Sequence, residues 1–452
     1  MTATREPTAA GGIPGEVSGG LGDGSLSESL TVLATGVVPA LVRGLFSPRP
    51  AAMKLLTSVD ADGRAVGQLS KLRRKYAGQG VKLLRGRLVV LWGEQAIKEV
   101  LDNSAGAYAG SAGAKAKGMS HFQPDALTMS CGEKWKDRRA FNEAVLAARE
   151  RVHPFAARFL ELVAGEVERL RLGGTLQWSD WEGLFDHITL RVIFGDQARD
   201  DQELTARLEK LMGEANRLVA LSRGDDYYEL YGRLERYLRE PEPETLVRQI
   251  SQAPQSDDTR IVQQIPHWMF AMRDTLAANA YRALAAIVTD GSAYERVRRE
   301  IEGVDLADPA TVDQLSYLEG SLQEAMRLWP TTPLLARETT RETTLAGEKL
   351  EAGTQVIMLN AFNHRDPDHV ADADRFVPER WSEHERDYRF NHLSNGTQDC
   401  PGTPLVLLIG KAVIARTLER YSVTLEHPPL RDGDPLPPML DFFETRFSVR
   451  PR

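Results

Sequence analysis

The chain has 452 residues, 42% hydrophobic and 27% charged, and 56 Lys and Arg against 64 Asp and Glu leave a net charge of -8. Such a length holds a large buried core and such a composition is that of a soluble globular protein, while the mild acidity excludes nucleic acid as a main partner, since phosphate binding needs a basic surface. Two cysteines, Cys131 and Cys400, exclude a secreted disulfide framework and fit one functional thiol in a reducing cytoplasm, although one disulfide between them is not excluded by counting.

Residues 1–28 read as a flexible tail with too little apolar material to offset the entropy of ordering, and 29–452 as a single domain. Ser29 to Phe46 is apolar but carries Pro39 and Arg43, and falls short of a transmembrane span, which needs roughly 20 residues. Helix is expected between Ala51 and Tyr76, broken near Asp60–Gly63, followed by a β-hairpin from Val81 to Leu91 and a short helix at Glu94–Leu101. The Gly-, Ala-, Ser- and Lys-rich stretch Asn103–Gly118 reads as a mobile loop. Helical periodicity then dominates: Glu133–Ala147, His153–Leu172, Trp178–Val192, Glu203–Arg239, Thr259–Thr289 with Pro266 in its first turns, and Val312–Leu328 stopped by Pro330. Arg337–Leu359 shifts to β, and a last long helix follows Pro401-Gly402. The fold class is mainly α with a smaller β-rich region.

The most informative segment is Leu393-Ser-Asn-Gly396-Thr-Gln398-Asp-Cys400-Pro-Gly402, with glycines four before and two after the cysteine, ahead of an apolar helix. Glycines let a backbone fold tightly enough to turn N–H groups toward sulfur, and a helix N-terminus favours a thiolate. A buried, inert cysteine in a Gly-Pro turn is the other reading of the loop alone.

This loop resembles the cysteine-ligand signature of the cytochrome P450 superfamily, in its soluble bacterial-type form, through Gly396, Cys400 and Gly402. Leu393 stands where the family usually has Phe, and Gln398 where it usually has an Arg that binds a haem propionate. Four further segments occur in family order. Trp135 and Arg139 fit Trp-x-x-x-Arg and share a helix face, and the resemblance gives them a propionate. Asp274-Thr275 in Ala271-Met-Arg-Asp-Thr corresponds to an acid–alcohol pair that relays protons to iron-bound dioxygen, Asp274 as conduit and Thr275 as positioning donor. Glu324 and Arg327 match Glu-x-x-Arg and, with Arg380 of Phe376–Trp381, form a charged structural lock. Arg337 reaches a propionate, for which His121 is a further candidate.

The resemblance implies the P450 fold, haem b with its iron held by the Cys400 thiolate, and insertion of one oxygen atom from O2 into a small apolar organic substrate. Electrons come from a separate partner, a ferredoxin with its reductase or an equivalent, since no flavin or iron–sulfur module is fused. Lys134, Arg138, Lys411, Arg416 and Arg420 are expected to form a basic docking patch for it. Substrate contacts are expected from 103–129, from the Glu203–Arg239 helices, near Pro333 and at Phe442-Phe443. Two alternatives stand beside this: a peroxide-driven peroxygenase binding a substrate carboxylate through Arg273, and a non-catalytic haem-binding protein.

Overall fold

The structure, a computed structural model, describes residues 19–111, 113–219, 222–382 and 387–452. It is mainly helical with small sheets, as the periodicity predicts. Residues 1–18 of the expected tail lie outside the described residues. The rest of that tail is structured: Leu21–Asp23 is a strand paired parallel to Gly80–Lys82, and Ser25 caps the following helix in a capping box with Glu28.

That helix is continuous over 26–43 through a π-helical stretch at Leu33–Val37. At 18 residues it is long and apolar enough to cross a membrane, which corrects the expectation that it falls short. It leaves Leu26, Leu30, Val38 and Val42 exposed, and Leu55 and Val59 of the neighbouring helical segment are exposed as well.

The helix predicted between Ala51 and Tyr76 breaks as expected, into Pro50–Ser58 and Ala61–Lys75, with Asp60 capping the second piece. The hairpin forms between Gly80–Leu83 and Leu88–Leu91. It extends into a six-stranded sheet through Gln355–Leu359, Leu334–Thr339 and Tyr108–Ala109. The Asn103–Gly118 stretch is therefore no loop: Tyr108 and Ala109 pair with Thr339 and Glu338, and a helix covers Gly113–Phe122. Its low apolar content hid this, because the sheet edge and the cavity wall, not its own periodicity, hold it.

The long Glu203–Arg239 pattern is two helices, Gln202–Ala215 and Asp225–Arg239. The central helix runs over 265–289, with Pro266 in its first turn and a π-helical turn at Ala271–Leu276. It is buried almost throughout and packs on Ser316–Leu328 and Thr403–Arg420, which join it in the main core.

One buried charge cluster fastens the cysteine region to this core. Glu324 and Arg327 on helix Ser316–Leu328 are fully buried, with Arg327 donating to Glu324 at 2.7 and 2.9 Å. Arg327 also donates to the carbonyls of His364, Ala373 and Arg375. Glu324 in turn accepts from the Val377 N–H and the Trp381 indole, and Arg380 sits 3.4 Å from it. The lock expected among Glu324, Arg327 and Arg380 is thus present and extends to the backbone of 364–377. Burial alone would push the Glu324 carboxyl up; the charge and hydrogen bonds of Arg327, with Arg380, outweigh it and hold it below its ordinary value of 4.5.

The loop from Leu393 to Gly402 then lies across the end of helix Glu94–Asp102. Gly396 has φ +68°, and a Cβ there would stand 2.4 Å from the Leu101 backbone. Thr397 ties the loop down by donating to the carbonyls of Leu101 and Ser104 at 3.1 and 2.8 Å.

Three outcomes are expected. Arg327→Met should cost about 3–5 kcal/mol by stranding a buried carboxylate, read as a lowered thermal or denaturant midpoint. Because the Glu324 pKa is depressed on folding, its contribution is present above its unfolded value and lost as pH falls through the folded one; Glu324→Gln should therefore flatten the acid limb of stability against pH. Gly396→Ala should cost at least ~1–2 kcal/mol from left-handed strain plus the clash, whereas Gly402→Ala, whose Cβ meets only ordinary contacts near 3.8 Å, should keep the wild-type midpoint. Equal midpoints for the two alanine variants would contradict this account of the loop.

Candidate functional site

Cys400 stands on the wall of a cavity of about 2140 Å³, whose lining also includes Trp135, Arg139, Asp274, Thr275 and Arg337. Helix Gly132–Val145, the central helix, strand Leu334–Thr339 and the cysteine loop thus converge on one space. Lys115, Met119, Leu127, Glu209, Pro333 and Phe442 line it too, drawn from the stretches expected to touch substrate.

The Cys400 N–H donates to the Leu393 carbonyl at 2.9 Å, and the Cys400 carbonyl accepts from the Thr403 N–H and hydroxyl. Both cysteines are free thiols, which removes the disulfide alternative. Burial pushes the Cys400 thiol up, with the Gly402 N–H and the Thr403 hydroxyl working against it. The expected lowering by the helix end is therefore outweighed by desolvation, and a bound cation at the sulfur is what would reverse the balance. Gly402 carries the nearby N–H, whereas Gly396 serves close packing on Leu101 rather than donation to sulfur.

Arg139 does not present a free guanidinium. Its Nη1 and Nη2 donate to the carbonyl and carboxylate of Asp399 at 2.6 and 2.5 Å, and its Nε to Glu143 at 2.5 Å. The side chain anchors the cysteine loop to helix Gly132–Val145, a role the expected propionate contact did not foresee. His121 is a clearer correction. It is buried away from the cavity lining, with Nε2 2.8 Å from Glu214, so a polar helix–helix contact accounts for it.

Arg337 lines the cavity. It is 3% exposed and donates only to neutral acceptors, the Ser104 hydroxyl at 2.7 Å and the Ala336 carbonyl at 3.0 Å. Burial lowers it to about 10, with no carboxylate opposing. A buried guanidinium with no carboxylate paired to it among the described residues calls for an anionic ligand group. With sulfur on one wall, apolar Leu146, Leu276, Leu393 and Leu405 between, and this cation at an edge, the residues fit a haem.

At the π-helical turn, Arg273 is buried inside four carboxylates. It pairs with Asp186, with Asp274 at 2.7 Å, with Glu209 at 3.2 Å and with Glu182 at 3.9 Å. The sequence left open whether Arg273 faces solvent or pocket; it lines the cavity, with its guanidinium engaged by these carboxylates. Asp274 gives one oxygen to Arg273, and its Oδ2 is buried without a partner among the described residues. Burial pushes Asp274 up to about 7, Arg273 opposing. Asp186 and Glu182 were missed because they sit four apart on a helix read only for its apolar face.

The basic docking patch does not form. Arg138 is 2% exposed and bound to Ser130, Asp125 and the Asp258 carbonyl, and Lys411 is 1% exposed and bound to Glu319 and the Asp313 carbonyl. Both serve as internal cross-links, so only Lys134, Arg416 and Arg420 of the five remain as surface or partly exposed cations.

Residues 243–440 match the family model described as Cytochrome P450. Among similar curated proteins, "Probable cytochrome P450 4d20" of Drosophila melanogaster is 29% identical over 195 residues, 41% of this chain and 37% of that protein. "Cytochrome P450 4V2" of Rattus norvegicus is 27% identical over 170 residues, 36% and 32% of the two chains. "Cytochrome P450 3A6" of Oryctolagus cuniculus is 27% identical over 177 residues, 37% and 35%. The matched part spans about a third of the length of each relative. These relatives are animal proteins. The family match covers Asp274, Thr275, Glu324, Arg327, Arg337, Arg380 and Cys400, so the part of the chain that carries these residues is similar to cytochrome P450 proteins.

Proposed function

We propose that the protein is a haem-thiolate monooxygenase that inserts one oxygen atom from O2 into a small apolar organic substrate, with electrons from a separate redox partner. The observation that carries this is the sharing of one cavity by the Cys400 thiol and the Asp274–Thr275 pair. Cys400 would hold the iron of haem b and Arg337 one carboxylate of it; when bound, the group supplies the redox chemistry and the oxygen activation that side chains cannot.

The chain's own contribution is proton delivery, positioning and exclusion of water. Asp274 loses and regains a proton near neutrality because burial disfavours its charge, while Arg273 keeps its Oδ1 fixed. Its unpartnered Oδ2 is the atom that can carry the proton to the neighbouring Thr275 hydroxyl. Met272, Leu276 and Phe442 supply apolar wall that keeps a substrate desolvated beside this pair.

The peroxygenase alternative needs Arg273 free for a substrate carboxylate. Four carboxylates already surround it, so a fifth would meet net negative charge. We place the protein in the cytoplasm, where an exposed Cys131 stays reduced.

The carbon monoxide spectrum of the reduced protein should show a strongly red-shifted Soret band that disappears in Cys400→Ala; a band unchanged by that substitution would sink the assignment. Asp274→Asn should lower substrate-coupled turnover by about a hundredfold or more and remove an ionisation near 7 from its pH profile. Arg273→Ala should not abolish peroxide-driven activity selectively for carboxylate substrates.

A further inference from the structure

Lys115, on helix Gly113–Phe122, lines the same cavity as Cys400 and Arg337. Among the described residues no carboxylate acts on it; the charged group that does is Arg337, by repulsion, and Lys115 in turn acts on the half-buried His267. His267 is held neutral, lowered to about 4 by burial and by Lys115 itself, and its Nδ1 accepts from the Gln123 amide Nε2 at 3.2 Å. Burial with the Arg337 charge pushes Lys115 down to about 7. Two cations therefore face one cavity edge with no anion between them, an arrangement that costs free energy in the protein alone.

The segment carrying Lys115 is fastened to both walls of that edge. Ala109 and Tyr108 pair with Glu338 and Thr339, on either side of which Arg337 continues the strand. Ser104 accepts from Arg337 through its hydroxyl and from Thr397 of the cysteine loop through its carbonyl. Gly110 lies against Gln398: a Cβ on it would meet the amide Oε1 at 2.5 Å. The neutral side chain standing where relatives of the resemblance carry an arginine thus turns toward the very segment that leads into Lys115.

We propose, resting on the haem reading above, that Lys115 is a cofactor-binding residue that supplies with Arg337 the paired positive charge for the two propionates of haem, taking over the charge absent at Gln398. The ammonium is a point charge on a flexible stem and the guanidinium a rigid fork, so Arg337 fixes orientation and Lys115 adds attraction. With an anion bound between them the repulsion becomes attraction to a shared partner, and both cations are stabilised.

The test uses the full chain loaded with haem and reads haem loss to an excess of a haem-scavenging apoprotein, followed by absorbance. Lys115→Met should speed loss by about tenfold, the worth of one charge-assisted hydrogen bond, and Lys115→Arg should restore the wild-type rate. Gln398→Arg placed on Lys115→Met should also restore it, which a merely structural role for Lys115 would not allow. Wild type loaded with haem dimethyl ester, whose propionates carry no charge, should lose its group faster than Lys115→Met loses haem, since Arg337 loses its partner too, and Lys115→Met should then add nothing. Haem loss unchanged by Lys115→Met, or a Lys115→Met effect that persists undiminished with the ester, would overturn the proposal while leaving the Cys400-dependent carbon monoxide band intact. Wild type that takes up no haem would overturn both readings together.

Discussion

The arrangement of the cavity depends on one fully buried carboxylate, Glu324. Its two oxygens gather Arg327, Arg380, the Trp381 indole and the Val377 N–H, while Arg327 reaches on to three carbonyls between 364 and 375. A carboxylate so placed is tolerated only because every direction around it holds a donor. The consequence is geometric. The strand bearing Arg337 follows directly from the helix that holds Glu324, and the 364–381 stretch leads into the cysteine loop. His364 carries the same fixation one step further, its Nε2 accepting from the Asn391 N–H just before that loop. Fixing these segments to one helix fixes the sulfur relative to the guanidinium.

Much of this was legible in the sequence, and the parts that were share a cause. Long amphipathic helices, the hairpin and the Pro330 stop come from local periodicity and punctuation, so Trp178–Phe194, Ser316–Leu328 and Thr403–Arg420 lie close to where pattern places them. Cys400, Arg337 and the Glu324–Arg327–Arg380 lock were legible through the resemblance, since each needs a partner far along the chain that no local pattern names. What was not legible depends on tertiary pairing. Tyr108–Ala109 becomes a strand only because strand Leu334–Thr339 offers it an edge, and Lys115 becomes a cavity residue only because that pairing brings its helix inward. His121 and Arg139 fail in the opposite sense. Their types suit a propionate, but Glu214 and Asp399, 93 and 260 residues away, hold them first. The basic patch failed because Arg138 and Lys411 sit on inward faces, and charge alone does not reveal a facing.

The buried charges can be sorted by how many opposite charges each one meets, and the sorting separates structure from function. In the lock one carboxylate meets two guanidiniums, whose remaining N–H groups find carbonyls, and nothing is left over to attract a ligand. In the cage around Arg273 one guanidinium meets four carboxylates, and burial, against Arg273 and with the neighbouring carboxylates behind it, pushes Asp274 up to about 7. At the edge formed by Arg337 and Lys115 two cations meet no carboxylate among the described residues; burial pushes both down, and Arg337 adds to the lowering of Lys115. A protein interior does not hold such imbalances for stability, since pairing or apolar replacement would serve better. The imbalance at the acid end gives a group able to exchange protons near neutrality. The imbalance at the basic end gives a place for an anion. Both border the cavity that exposes Cys400, so a single bound molecule that is anionic along one edge, coordinates sulfur and consumes protons would satisfy all three at once. Haem chemistry is of that kind, and this joint demand, more than any one motif, is what ties the separate residues to a common task.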